Sequence, residues 1–382
     1  MIELKKYWIN KKNLIKWQKE PKIAYLKRPN NKTIWFPDGK LNVAQNCLES
    51  VRDNKKLAII TIDKNKNIEK YTYSQIFGMV NEFSNFLEKL DKKEKVKNIL
   101  IHSSASIVSA VSMLSCAKLG IHFSVVFEDL PDQALDIRVK LIKPDIVITR
   151  SKEKYNFFIE SLRKNNLKKS ILINSNNKSK NKKIDYFNFK IYKPNLKTNF
   201  TYVNSNKILF TLFTSGSTGE PKGIQHSSGG YLLYSKYTCI KQFGMTHNSV
   251  VLVASDAGWI NGHTYALFGP LSNGSTTILL EKPLTLIDYN FLNQIIKKFK
   301  VSILYLPVTL IRLLKGLVPT KKTFYNNYLK TIGSMGEPLA ESVGLWYSKL
   351  FFKKLRPVVN TYFQTETGGI IASPKYNEKA KS

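Results

Sequence analysis

Cysteine is scarce in this chain. Only Cys47, Cys116 and Cys239 are present, far apart and without a C-x-x-C pair. That excludes a disulfide framework and a cysteine-based zinc site, and it suits a reducing compartment. Long apolar runs are missing too: nothing approaches the ~18–20 residues of a membrane-spanning helix. The first dozen residues mix Lys with Tyr7 and Trp8 and hold neither an apolar core segment nor a small-residue cleavage site. A secretory leader is therefore not expected, and the location expected is cytoplasmic. Acidic residues are few, 27 Asp and Glu against 60 Lys and Arg, for a formal charge of +33. Such a charge invites a nucleic acid or an anionic membrane as partner. Yet arginine, the residue favoured for base reading and bidentate phosphate clamping, stands only at 28, 52, 138, 150, 163, 312 and 356. The abundance of Lys, Asn and Ile reads as a codon bias, so neither nucleic acid nor membrane is expected as a partner.

What is present describes a globular enzyme-sized chain. An apolar fraction of 43% and 382 residues allow a large buried core. β-Branched apolar runs predict strands at 57–62, 98–103, 123–127, 145–149, 170–174, 207–214, 250–255, 276–281, 301–307, 330–334 and 357–362. Helical spacing of apolar residues predicts helices at 73–90, 106–119, 133–142, 231–243 and 291–299. This alternation predicts an α/β fold with doubly wound, mainly parallel sheets and helices on both faces. Sheets of that kind bind ligands where strands end at their carboxyl edge. Residues 151–199 are Lys- and Asn-rich and less regular, and 176–183 reads as a solvated loop. Trp8, Trp17 and Trp35 make the first fifty residues too aromatic for a disordered tail.

The sharpest motif is Thr214-Ser215-Gly216-Ser217-Thr218-Gly219-Glu220-Pro221-Lys222-Gly223, placed directly after a predicted strand. Gly216 and Gly219 allow close backbone approach to a ligand. The hydroxyls of Ser215, Ser217 and Thr218, beside exposed N–H groups, make an anion cradle, and Lys222 adds a mobile cation. A generic Gly/Ser linker is the competing reading, but the full string after a strand favours a loop that wraps nucleotide phosphates. It is not a Walker A loop, because Gly223, not Ser or Thr, follows Lys222. A second motif is Gln364-Thr365-Glu366-Thr367-Gly368-Gly369. There Glu366 is a hard oxygen ligand suited to Mg²⁺ on a triphosphate, and Thr365 is a donor to an α-phosphate. Alone, this stretch reads equally well as a capped turn.

Together these strings resemble the signatures of the AMP-forming acyl-CoA synthetase and adenylation-enzyme superfamily, and of its acetyl- and propionyl-CoA synthetase branch in particular. Residues 39–48 (GKLNVAQNCL), 226–234 (HSSGGYLLY), 256–274 (DAGWINGHTYALFGPLSNG), 333–338 (GSMGEP) and 361–369 (TYFQTETGG) are similar to that branch's blocks and follow its order. The resemblance runs from about Trp35 to the end of the chain. It implies residues 1–50 as an N-terminal extension packed on the body and 51–382 as the large N-terminal ligase domain. It implies that Thr214 to Gly219 hold the phosphates with Lys222 and Thr218 taking part in catalysis. Gly336, Glu337 and Pro338 would read an adenine edge, and Tyr362 would stack on the base with Gln364 nearby. Trp259, Ile260, Asn261, Gly262, Met335 and Phe363 would line the acyl pocket. His263 is weighed as a general base and set aside, since a carboxylate is already ionised at neutral pH. Two departures stand out: the two-carbon enzymes carry Trp where Phe363 stands and Thr where Asn261 stands. A bulky aromatic at 363 still favours a short acid, while acetate and propionate differ too little to separate.

The implied reaction consumes ATP, Mg²⁺ and a short carboxylate to form an acyl-adenylate, and then coenzyme A to form acyl-CoA with release of AMP. The family also uses an Asp, an Arg and a C-terminal-domain Lys from beyond the 361–369 block. The expectation is therefore a ligase lacking its C-terminal domain and incomplete alone, either a fragment or a subunit whose missing domain comes from another chain. The competing expectation is a silent ATP- or acyl-binding remnant. No Arg/Gly-rich segment for the CoA phosphate stands near 150–157.

Overall fold

The β-branched runs of the sequence become covered strands. Ile146–Thr149 and Thr276–Leu280 are buried at every position, as parallel strands sheltered on both faces are. The computed structural model describes residues 2–29, 33–51, 55–91, 96–167, 171–174, 184–193, 199–215 and 220–378. The chain divides into two units, residues 1–55 with 72–233 and residues 56–71 with 234–382.

In the first unit a seven-stranded sheet runs in the order Ile184–Tyr186, Ile171–Asn174, Ile146–Thr149, Asn98–His102, His122–Val126, Ile208–Ser215 and Pro221–Ser227. Every pairing is parallel except the last, an antiparallel hairpin. The helices Ile107–Leu119, Asp132–Ile142 and Tyr155–Lys164 make the crossovers. Ser106 and Ser109 close a capping box at the start of the first of these, and Gly120 (φ 67°) ends it. Within this unit Asn42 donates from its amide to the carbonyls of Ala117, Lys118 and Thr201 at 3.1, 2.8 and 2.8 Å. Ser205 likewise donates to the Trp35 carbonyl at 2.9 Å. These bonds tie the segments around residues 35 and 42 to the sheet-bearing body of the unit.

The second unit carries another seven-stranded sheet, in the order Val358–Asn360, Thr331–Met335, Ile303–Pro307, Val250–Val253, Thr276–Leu280, Leu57–Ile62 and Ile68–Thr72. The five pairings from Val358–Asn360 through Leu57–Ile62 are parallel. The helix Tyr289–Phe299 shows why the local sequence folds as it does. Asp288 accepts from the amides of Asn290 and Phe291, Phe291, Leu292, Ile295 and Ile296 form the buried stripe, and Lys300 ends the helix in the left-handed region. Its stripe joins Leu252, Ile278, Leu304 and Ile332 from the strands in one core.

All eleven predicted strands and five predicted helices stand within a few residues of their expected bounds. The strand Pro221–Ser227 and the helices Val308–Leu317 and Glu341–Phe351 were not foreseen. The irregular stretch 151–199 contains the helix Tyr155–Lys164, which buries Phe158 and Leu162; the loop expected at 176–183 lies outside the described residues. Helices cover both faces of the sheets, as the alternation predicts. Among the described residues no helix is long and apolar enough to cross a membrane.

Candidate active site

Four neighbouring parallel strands of the second unit, Val250–Val253, Ile303–Pro307, Thr331–Met335 and Val358–Asn360, end along one edge. The segments leaving that edge, 254–261, 336–338 and 360–366, line a cleft of about 1310 Å³. It lies where open parallel sheets take their ligands. Ile260, Asn261 and Met335 form its buried end, whereas Trp259 and Tyr362 stand at its rim, each 57% exposed. Phe363 is half-buried beside them.

The turn carrying Glu366 is built from its own sequence and then pinned by its neighbours. Thr365–Thr367 forms one short helical turn, closed by Gly368 in the left-handed region (φ 70°). The Gln364 amide donates to the Thr367 hydroxyl oxygen at 3.2 Å, and that hydroxyl donates to the Gln364 and Gly369 carbonyls at 2.9 and 2.8 Å. Thr264 then donates to the Gly368 carbonyl at 2.7 Å, Tyr234 donates to the Ile370 carbonyl at 2.6 Å, and the Ile370 amide donates to the Tyr265 oxygen at 2.9 Å. Thr365 and Glu366 face the cleft from this clamped turn, with Glu366 exposed.

Beneath it, the amide and hydroxyl of Thr361 both donate to the Ser334 carbonyl, at 3.0 and 2.8 Å. Ser334 donates in turn to Asn360 at 3.0 Å. At the next strand end Gly336 takes φ 91°, a conformation only glycine holds cheaply, with open space where a Cβ would stand. The Glu337 carboxylate is engaged by Thr309 at 2.7 Å and by Arg312 at 2.8 Å. The side chain of Glu337 is thus held by its own helix-borne partners, and the strand-end backbone of 336–338 lines the cleft.

Gly262 does not line the cleft. A Cβ there would lie 2.0 Å from the Asp256 carbonyl oxygen, so its glycine answers to packing. His263 is fully buried and also stands outside the lining. Sequence reasoning missed Asp256, Leu284 and Asn360, which do line it. Asp256 carried one local signal: it caps its own turn, accepting from the Gly258 amide at 2.8 Å.

The Ser/Gly-rich motif belongs to the first unit. Ile208–Ser215 and Pro221–Ser227 are the two arms of a hairpin, with Thr214 opposite Lys222 and Ser215 opposite Pro221. Ser215 and Lys222 are exposed and Thr214 is half-buried. Gly216, Ser217, Thr218 and Gly219 lie outside the described residues.

Among the described residues no group of three or more His, Cys, Asp or Glu is placed to hold a metal ion. A single exposed carboxylate, Glu366, fits a cation held mainly by phosphate oxygens and water, the usual manner of Mg²⁺.

A profile of the family described as AMP-binding enzyme matches residues 49–382. The chain is 32% identical over 361 residues to the acetyl-coenzyme A synthetase of Helicobacter pylori strain G27, covering 89% of this chain and 54% of that protein. It is 33% identical over 392 residues to the acetyl-coenzyme A synthetase of Leptospira biflexa serovar Patoc, covering 96% and 60%. The chain thus spans little more than half the length of these relatives. Its fold matches that of an acyl-CoA synthetase from Brucella canis with a TM-score of 0.74 at 20% identity, over 86% of this chain and 58% of that one.

Proposed function

Because this chain belongs to the AMP-binding enzyme family, we propose that it activates a short-chain carboxylate with ATP to an acyl-adenylate. In the second half-reaction the acyl group passes to coenzyme A. The observation that carries this reading is the cleft at the sheet edge. It joins an exposed carboxylate on a clamped turn, a glycine-shaped backbone edge, an aromatic rim and a buried end formed by Ile260, Asn261 and Met335.

In the proposed chemistry a carboxylate oxygen attacks the α-phosphorus of ATP, the bond to the bridging oxygen breaks, and pyrophosphate leaves. Positioning and charge neutralisation supply most of such catalysis. Mg²⁺ bound at Glu366 would neutralise the phosphate charge there. Thr365 donates toward the α-phosphate, and Lys222, with Thr214 to Gly219, cradles the leaving pyrophosphate. The backbone of Gly336 to Pro338 and the Tyr362 ring, with Gln364 beside it, receive the adenine. Ile260, Asn261, Met335 and Phe363 enclose the acyl chain, closing the cleft against long acids. The thiol of coenzyme A, losing its proton, then attacks the acyl carbon and AMP leaves. This second step is assigned to the chain acting with the C-terminal domain typical of such ligases, on this polypeptide or on another. Cys47, Cys116 and Cys239, all buried and far apart in the sequence, support placing this work in the cytoplasm.

Carboxylate-dependent exchange of labelled pyrophosphate into ATP tests the first half-reaction, across acids of two to eight carbons. Exchange that is best with two to four carbons is expected. Exchange favouring long acids would remove the short-chain reading. Binding of acyl-adenylate analogues without any exchange would leave a silent binding protein instead.

A further inference from the structure

The helix Val308–Leu317 buries Val308, Ile311 and Leu314. Thr309, Arg312 and Lys315, spaced by three, share an adjoining face. Each of them reaches the connection between the strand Thr331–Met335 and the helix Glu341–Phe351. Thr309 donates to Glu337 Oε1 at 2.7 Å, Arg312 Nη1 to Glu337 Oε2 at 2.8 Å, and Lys315 Nζ to the Ser342 carbonyl at 3.3 Å. The other arm of the Arg312 fork, Nη2, points at the Pro338 carbonyl from 3.5 Å.

This connection is the stretch whose backbone lines the cleft. It leaves the strand through Gly336, which is left-handed and has no atom near the place of a Cβ. Packing at that residue therefore does not steady the edge; the helix does, by taking both oxygens of the next side chain. An ion pair this open to water adds little to folding stability, so its consequence is local.

Charge gives a second reason for the pair. Among the described residues the cleft lining holds three carboxylates, Asp256, Glu337 and Glu366, and no lysine or arginine. A nucleotide brings further negative charge, which nearby carboxylates repel. Glu366 is suited to a cation, whereas Glu337 has its countercharge in Arg312, just outside the lining. We propose that Arg312 is a positioning residue for nucleotide binding. Acting through Glu337, with Thr309 on the other oxygen, it fixes the 336–338 backbone edge against the base and cancels the Glu337 charge. This rests on the carboxylate-activating reading above and adds a residue to it.

Base preference, read by binding alone, tests the idea. The probes are the non-hydrolysable acetyl-sulfamoyl adenosine and its inosine counterpart, which differ only in the base, titrated calorimetrically into the full chain. The unaltered chain is expected to prefer the adenosine probe. Arg312→Gln should bind that probe roughly 2- to 5-fold more weakly and lose part of its preference over inosine. Arg312→Lys, which keeps the charge but not the fork, should fall between the two. In a Glu337→Gln background Arg312→Gln should cost nothing further, because the group it acts through is already altered. Three results would each overturn the proposal while leaving carboxylate activation intact: equal binding of both probes by the unaltered chain, a base preference untouched in Arg312→Gln, or losses at 312 and 337 that simply add. Failure of both probes to bind the unaltered chain removes both readings together. Thr309→Val, which frees the other carboxylate oxygen, should shift the preference in the same direction, so a misfolded Arg312 variant does not blunt the test.

Discussion

Gly262 and Gly336 look alike in sequence, both flanking the cleft, yet they are glycine for opposite reasons. At Gly262 an added methyl meets the Asp256 carbonyl at 2.0 Å, whereas at Gly336 it meets nothing, and only the φ of 91° objects. Gly262→Ala is expected to cost at least ~1–3 kcal/mol through overpacking and to displace the Asp256–Asn261 segment. Gly336→Ala should cost about 1–2 kcal/mol through backbone strain alone. Urea unfolding of each variant, with analogue titration, separates the two: Gly262→Ala should weaken binding of the acyl end. Glu366→Gln tests the metal anchor. Pyrophosphate exchange is expected to fall ~10²–10³-fold, the usual loss for one transition-state partner, while the unfolding midpoint stays put because Glu366 is exposed. At this scale Tyr362, Thr365 and Glu366 were named from the sequence through the resemblance of 361–369 to a family block, since alone that stretch reads equally well as a capped turn. Asp256 and Leu284 were not, because an Asp in a turn and a Leu in a loop look alike wherever they occur.

The element that presents Glu366 is a turn too short to be stable alone, held by side chains from the helical segment that includes Thr264 and Tyr265. Tyr265→Phe removes the acceptor for the Ile370 amide and the partner of Thr238. A buried amide left without an acceptor costs about 1–3 kcal/mol. The expected result is faster hydrogen exchange at Ile370 and weaker pyrophosphate exchange activity; unchanged protection at Ile370 would show that the clamp does not govern the turn. The parallel strands were readable because burial on both faces makes them continuous apolar runs. The arm Pro221–Ser227 was not, since Pro221, Lys222 and Gly223 read as loop and it pairs on one side only. The helix Val308–Leu317 escaped because it starts directly after the strand Ile303–Pro307, with no polar break between them.

For the molecule as a whole, charge and burial set the solution behaviour. His102 is fully buried in the first unit, with Nδ1 at 2.8 Å from the Thr149 hydroxyl and Nε2 at 3.2 Å from the Glu128 carbonyl. Burial pushes its imidazole down to about 4; Lys154 adds to this, while the Glu128 carbonyl, Asp129 and Asp132 oppose it. A depressed value means that the unfolded chain binds the proton first. The stability held by the neutral ring is complete above about pH 6.5 and drains away as the pH falls toward 4, by roughly 3 kcal/mol in all. Urea unfolding between pH 7 and 5 should therefore show a declining free energy, with a shallower slope in His102→Gln. The net charge of +33 predicts that ATP affinity drops several-fold as salt rises from about 50 to 300 mM. A flat response would show that the excess charge lies away from the nucleotide's path.

Composition and order of motifs were enough, on the sequence alone, for the α/β class, most of the strands and helices of the two sheets and the superfamily, because each is encoded in local periodicity or in a short contiguous string. Which residues meet was decided only in three dimensions. The cleft gathers Ile260, Met335 and Phe363 from separate strand ends, and Tyr305, Thr361 and Ser334, far apart in sequence, are joined by hydrogen bonds. The spacing of those residues along the chain carries no trace of that, since a hydrogen-bond donor is won or lost by neighbours that only the packed sheet brings together.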